Sequence, residues 1–242
     1  MEPKNKLSIL IPCYNEDSTI ITVIENVFSV PLIGDTEKEL IVVDDASTDQ
    51  TYQLVKAYQE KNIHLPIQVY QQPKNSGKGS CLKLAVSKAG GTIFVVQDAD
   101  LEYDPRDYNR LLQPILDGYA DVVFGSRFMG SGPHRVLFFF HTIGNKVLTF
   151  FSNLLTQINL TDMETGYKMF KAGILANIQL QESRFGFEPE FTAKISRIKG
   201  IRIYEVGISY FGRTYEEGKK INWKDGLHSL YCIFKYNIFK RK

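Results

Sequence analysis

The sequence predicts an α/β protein built on a mostly parallel, doubly wound sheet flanked by helices. Two observations carry this. Short apolar runs dominated by Ile, Val and Phe recur along the first half of the chain, and those at 39–45 and 92–100 are nearly continuous rather than alternating. That is the pattern of strands covered on both faces. Helical patterns separate the runs at short spacing, as in successive βαβ units.

Taken in order, "LSILIP" (7–12) reads as the first strand, and Ser18 to Val30 follows as a helix with apolar Ile20, Ile21, Ile24, Val27 and Phe28. "ELIVVDD" (39–45) is the second strand, Asp49 to Glu60 the second helix, "IQVYQQ" (67–72) the third strand and Gly79 to Ala89 the third helix. "TIFVVQDAD" (92–100) is the fourth strand, Pro105 to Asp117 a helix opened by an Asp-Pro step, and "DVVFGSR" (121–127) the fifth strand. After about residue 128 the pattern turns to aromatic-rich helices, a short strand "IRIYEVGISY" (201–210), a polar loop and a last helix. No internal repeat or low-complexity linker interrupts it, and one domain over 1–242 is expected.

Composition excludes several classes. With 23% charged and 43% hydrophobic residues the chain is of ordinary globular type. Its net charge of +2 gives no reason to expect nucleic acid as a partner. Cys13, Cys81 and Cys232 are scattered and share no metal-ligand spacing with one another, so a disulfide framework is not expected and a reducing, cytoplasmic setting is. "MEPKNKLSILIP" is too short in its apolar run for a signal peptide. The most apolar stretch, Val136 to Leu155, contains His141, Asn145, Lys146 and Asn153 and is not read as a membrane span.

Ligands of open α/β sheets bind beyond the carboxyl ends of the strands. Here those ends carry "PCYNE", "DDASTDQT", "QDADLE" and "GSRF". Asp45, Ser47 and Asp49 are also ordinary helix-capping types, but together the strand ends favour one crevice. Asp98 and Asp100 lie two apart, so in an extended segment both side chains point the same way, with Ala99 turned aside. Facing carboxylates repel unless a cation lies between them, and hard oxygen ligands suit Mg²⁺ or Mn²⁺. Glu102 is a candidate third ligand. The competing reading is a solvated turn leading into the helix at Pro105. "PKNSGKGS" (73–80) is a Gly- and Lys-rich loop before a helix, where Gly77 and Gly79 allow close backbone approach and Lys78 reaches a phosphate. It lacks P-loop spacing.

"IPCYNE", "VVDDASTDQT", "NSGKGS", "DADLEYDP", "GSRF", "DMETGYK" and "GRTYEEGKKINWKDG" occur in the order seen in family 2 glycosyltransferases. The chain resembles most closely the dolichyl- or polyprenyl-phosphate sugar synthases. The resemblance implies a GT-A fold, a nucleoside-diphosphate sugar donor (GDP-mannose or UDP-glucose type), inversion at the anomeric carbon and a polyprenyl-phosphate acceptor. It implies that residues 1–128 bind nucleotide sugar and metal and that 129–242 bind the acceptor. Carried over by position, Pro12, Tyr14 and Glu16 match the first nucleotide-binding motif, and Asp44 and Asp45 the acidic pair that meets base or ribose. Asp98, Ala99 and Asp100 match the D-x-D metal motif for Mg²⁺ or Mn²⁺, with Glu102 where relatives often carry Gln. Arg127 matches an acceptor-phosphate arginine and Arg213 a late phosphate-reaching arginine, assisted by Lys219 and Lys220; Arg135 and His141 align loosely. Cys13 replaces a common Thr, the late motif is altered, and the C-terminal membrane helices of many relatives are not seen.

An alcohol acceptor needs a general base, whereas a phosphate monoester is mostly ionised at pH 7 and needs positioning. Asp162 and Glu164 are the base candidates; Thr161 and Asp162 equally suit a helix cap. Two further alternatives are a D-x-D phosphatase, disfavoured by the motif's place after the fourth strand, and a silent nucleotide-sugar-binding adaptor. In the last helix Leu227, Leu230, Tyr231, Phe234 and Ile238 share a face, and Lys235, Lys240, Arg241 and Lys242 cluster at its end. That stripe fits either an interfacial helix on the cytoplasmic face of a membrane or a core-packed helix. Phe138, Phe139 and Phe140, consecutive and unable to share one core, favour the membrane surface.

Overall fold

The computed structural model describes residues 5–130, 135–136, 139–214, 216 and 223–239. The chain runs β1 (Lys6–Cys13), α1 (Ile20–Ser29), β2 (Glu37–Asp44), α2 (Thr51–Lys61), β3 (Ile67–Gln71), α3 (Lys78–Lys88) and β4 (Ile93–Val96). It continues through a short 3₁₀ turn (Pro105–Asp107) into α4 (Tyr108–Leu116), β5 (Val122–Ser126), α5 (Phe139–Thr156), β6 (Lys168–Lys171), α6 (Phe187–Ile195), β7 (Ile203–Gly207) and α7 (Trp223–Phe234).

The seven strands form one sheet in the order β3-β2-β1-β4-β6-β5-β7. β1 pairs in parallel with β2 and β4, and β2 with β3, and β5 with β7. β6 lies antiparallel between β4 and β5. The doubly wound, mostly parallel expectation therefore holds. The exception, β6, is four residues ("KMFK") that carry no strand-length apolar run of their own.

The continuous apolar runs exist because both faces are covered. Leu7, Ile9 and Ile11 of β1, Leu40 and Val42 of β2, and Ile93 and Val95 of β4 meet α1 and α4 on one face. Leu10, Ile41, Val43, Phe94 and Val96 meet Cys81, Leu82 and Ala85 of α3 and Phe187, Phe191 and Ile195 of α6 on the other. Successive residues thus serve opposite cores, as the two-residue period of a strand requires.

Candidate active site

A cavity of about 1020 Å³ opens where Pro12, Tyr14 and Glu16 follow β1, Asp45 follows β2 and Asp98, Ala99, Asp100 and Glu102 follow β4. Gly77 and Lys78, Arg127, Glu164, Glu188, Tyr210 and Arg213 complete its polar part. Phe140 and Leu148 of α5 and Trp223 of α7 give the cavity apolar surface, beside His141 and Asn145 of α5 and Asp225 and Ser229 of α7. Most of the residues anticipated from sequence are thus brought together, but several do different work from that expected.

β4 ends at Val96, so Asp98 and Asp100 stand in a turn rather than an extended segment. Leu101 closes the turn in the left-handed region, at φ 63°, a conformation that non-glycine residues hold only when the surroundings impose it. Gln97, fully buried, anchors the start of the turn. Its Oε1 accepts from Tyr108 (2.7 Å) and Tyr167 (2.6 Å), while its Nε2 donates to the carbonyl of Asp98 at 3.0 Å. Below the turn, a Cβ on Gly166 would stand 2.4 Å from Asp98 Oδ2 and 2.8 Å from the Tyr103 ring. Only glycine lets the strand leading to β6 pass so close. Tyr103 accepts from the Gly166 amide at 2.7 Å and stacks on Tyr167 at 4.8 Å.

Asp98 Oδ1 pairs with Lys78 Nζ at 2.8 Å, and the same ammonium meets Glu188 Oε1 at 3.1 Å. Lys78, at the start of α3, is therefore clasped by carboxylates, and the clasp raises its pKa against the opposing effect of burial. The Asp100 carboxyl is pushed up, to about 8, first by burial and then by the charges of Asp98 and Glu102. Like charges crowded in a cleft do this, and a cation there relieves it. The chemistry of the pair thus fits a hard divalent ion.

Glu102 does not stand free as a third ligand. Its Oε2 accepts from Tyr210 at 2.7 Å and its Oε1 from the Arg213 amide at 2.6 Å. It ties the 210–213 segment to the D-x-D turn. Arg213 in turn reaches Glu16 Oε2 with Nη1 at 3.0 Å, and its Nη2 is buried with no partner. Glu16 is thereby a partner of Arg213 as well as part of the cavity wall.

The acidic pair at the end of β2 divides. Asp44, 1% exposed, does not line the cavity. It accepts from Ser47 and from Gln71 Nε2 at 3.0 Å, holding the β2 and β3 ends. Asp45 lines the cavity and accepts the amides of Ser76 (2.8 Å) and Gly77 (2.7 Å), so it shapes the Gly-Lys loop. Gly77 has φ 92°, and a Cβ there would lie 2.4 Å from the Ser183 carbonyl oxygen.

Asp162 is not available as a general base. It is fully buried and forks onto Arg127, Oδ2 to Nε at 2.6 Å and Oδ1 to Nη2 at 2.7 Å, while also accepting the Arg127 amide at 3.0 Å. Bidentate geometry of this kind fixes the guanidinium plane. Its other candidate role, helix capping, also lapses, because β6 rather than a helix follows. Glu164 differs. It lines the cavity, its Oε1 has no hydrogen-bond partner, and its carboxyl is pushed up to about 8 by burial and then by Glu188. Arg135 lies in an adjoining pocket of about 310 Å³ with Asp100 and Arg213, and His141 lines the main cavity. Lys219, Lys220, Lys240, Arg241, Lys242 and Phe138 lie outside the described residues. Gln97, Tyr103, Gly166 and Glu188 were not anticipated; Gly166 and Tyr103 do fall inside the quoted "DMETGYK" and "DADLEYDP" motifs.

The model of the family described as "Glycosyl transferase family 2" matches residues 8–178. The chain belongs to glycosyl transferase family 2. It is a glycosyltransferase with a GT-A fold. A dolichol-phosphate mannosyltransferase of Pyrococcus furiosus is 26% identical over 96% of this chain, which spans 64% of that relative's length. A UDP-N-acetylglucosamine–dolichyl-phosphate N-acetylglucosaminyltransferase of Methanococcus voltae is 27% identical, with 96% of each covered. Among solved structures, glucosyl-3-phosphoglycerate synthase of Mycobacterium tuberculosis superposes with a TM-score of 0.72 at 18% identity, over 96% of this chain and 81% of that one. Complexes of that enzyme contain Mn²⁺ or Mg²⁺ with uridine diphosphate.

No helix among the described residues is long and apolar enough to cross a membrane. Two helices nonetheless present apolar faces to solvent. On α5 these are Phe139, Phe140, Ile143, Val147, Phe150 and Leu154; on α7 and the turn after it, Trp223, Leu227, Tyr231, Ile238 and Phe239. α7 buries Ser229, Cys232 and Ile233 instead, with Tyr236 beyond them, and Phe234 packs on Phe151 at 5.8 Å. The five-residue stripe read from sequence is thus split: Leu227, Tyr231 and Ile238 face outward, while Leu230 and Phe234 are half-buried.

Proposed function

We propose that this glycosyltransferase moves a hexose, with inversion, from a nucleoside-diphosphate sugar of the GDP-mannose or UDP-glucose type to a polyprenyl phosphate at a membrane surface. One observation carries the reading: a floor of carboxylates, Lys78, Arg127 and Arg213 shares one cavity with Phe140, Leu148 and Trp223, and these apolar residues run on into the exposed apolar faces of α5 and α7. A charged headgroup attached to an apolar chain fits such a junction. Relatives named for dolichol-phosphate or dodecaprenyl-phosphate transfer support it.

Asp98 and Asp100 would hold Mg²⁺ or Mn²⁺, whose charge offsets that of the diphosphate leaving group. Lys78 stands within reach to exchange Asp98 for a donor phosphate. Arg213, with one buried nitrogen unpaired, is placed to take another phosphate oxygen. Asp162 occupies Nε and Nη2 of Arg127, leaving Nη1 for the acceptor phosphate. An ionised phosphate acceptor needs no base. The amphipathic faces of α5 and α7 suit the interfacial plane of a bilayer, consistent with a peripheral position on the cytoplasmic face.

A second reading, a hydroxyl acceptor, is favoured by Glu164, a cavity-lining carboxyl with an unpartnered oxygen and a pKa of about 8, in the range of a general base. A panel of nucleotide sugars incubated with polyprenyl phosphate and Mg²⁺ or Mn²⁺, products read by mass spectrometry, tests the first reading. One lipid-phosphate sugar is expected; none with any donor overturns it. Glu164→Gln should spare that product, whereas a hydroxyl-acceptor enzyme would lose turnover.

A further inference from the structure

Beside the Gly-Lys loop, against which the Glu182 and Ser183 carbonyls pack, three side chains of different chemistry converge. His228 and Cys232 stand four apart on α7, the spacing that puts both on one helical face. Glu182 comes from the loop before α6. Their ligand atoms all lie within 4.8 Å of one another. His228 Nε2 is 3.3 Å from Glu182 Oε2 and 3.5 Å from Cys232 Sγ. A tetrahedral ion about 2.0–2.1 Å from nitrogen and oxygen and about 2.3 Å from sulfur sets ligand edges of about 3.3 Å (N to O) and about 3.5 Å (N to S). His228 already stands at those distances from its two partners, and the third pair, Glu182 and Cys232, lies within 4.8 Å.

The surroundings fit as well. The other oxygen of Glu182, Oε1, accepts from Lys235 at 2.6 Å and Tyr236 at 2.7 Å. Such outer partners orient a carboxylate ligand, and they leave Oε2 facing His228. Gly186 keeps the space clear: a Cβ there would lie 2.7 Å from Cys232 Sγ and 3.0 Å from Glu182 Oε2. The His228 side chain is 42% exposed, which gives an ion an entrance and a water the fourth position.

We propose that Glu182, His228 and Cys232 form a zinc site that fastens α7 to the loop supporting the Gly-Lys turn. Thiolate and imidazole select a borderline ion such as Zn²⁺ over Mg²⁺ or Mn²⁺, so the site is chemically distinct from the D-x-D pair. The fastening has a direct line to the cavity. The carbonyls of Glu182 and Ser183 press against the Cβ positions of Gly79 and Gly77, and Ser183 accepts the Ser80 amide at 3.1 Å.

The test is cobalt titration of the full chain after chelator treatment. One equivalent should bring up tetrahedral visible bands and a thiolate-to-cobalt charge-transfer band, and Zn²⁺ should displace it and raise Tm. Cys232→Ser should abolish the charge-transfer band. His228→Gln, at a part-exposed position that is expected to fold normally, should weaken binding at least tenfold. Asp98→Asn/Asp100→Asn should leave the band intact, which separates this site from the donor site whatever the latter binds. Absence of the band in the wild-type chain, or its survival in both Cys232→Ser and His228→Gln, overturns the proposal.

Discussion

Arg127 and Asp162 are locked edge to edge: two side-chain hydrogen bonds of 2.6 and 2.7 Å join them, and Asp162 also takes the arginine's own amide. The guanidinium is 9% exposed and the carboxylate fully buried. Removing one partner strands a buried charge, which typically costs about 3–5 kcal/mol. Asp162→Asn should therefore lower unfolding free energy by that order in urea titrations. Wild-type stability in this variant would mean that the pair is not what holds Arg127.

Asp100→Asn removes one of two carboxylates crowded at the D-x-D turn. Metal-dependent binding of a nucleoside diphosphate should weaken by about ten- to a hundredfold, at least the loss seen when a metal's outer partners are removed. Isothermal titration with UDP and GDP, with and without Mn²⁺, measures it. Glu102→Gln should change metal affinity far less, because both oxygens already serve Tyr210 and Arg213.

The Glu164 carboxyl is raised from 4.5 to about 8 by burial, then by Glu188, against the opposing pull of Lys168 and Arg127 and with a small push from Asp162. A raised folded-state pKa means stability that is fully present below the unfolded value and lost as pH climbs through the folded one. The window is therefore about pH 4.5 to 8. Glu164→Gln, which carries no titrating group, should gain Tm over the wild type progressively across that window. A Tm difference that stays flat with pH would show that Glu164 is not held neutral by the fold.

Gly77→Ala places a methyl 2.4 Å from the Ser183 carbonyl, at a φ of 92° that side chains avoid. Strain and crowding together should destabilise by about 1–3 kcal/mol. Donor-phosphate binding should fall with it, since Asp45 shapes the same loop through the Gly77 amide. Scanning calorimetry and nucleotide titration report the two effects separately.

The parallel strands and their helices were legible because each strand has an apolar run and each helix a 3.6-residue stripe. β6 was not, since Lys168 and Lys171 flank only Met169 and Phe170, and its pairing is decided by neighbours far away in sequence. The D-x-D turn was located correctly but its shape was not. Its start is anchored by Gln97, itself held by Tyr108 and Tyr167, eleven and seventy residues away. Asp162 read as a free carboxylate because nothing local announces Arg127, 35 positions earlier, as its partner. Spacing speaks for residues on one element; it is silent on which distant charge will neutralise them.

The placement of β6 also bears on how the chain is made. Among the described residues β5 has ladder partners only in β6 and β7, and β4 has an open edge until β6 arrives. A nascent chain that has emerged only as far as β5 holds a four-helix, four-strand layer with an apolar rim and an orphan strand beside it. Such rims are templates for wrong pairing between neighbouring polypeptides. Synthesis past Lys171 supplies the strand that joins the two groups, and a pause before that point leaves the β4 edge and β5 unpaired.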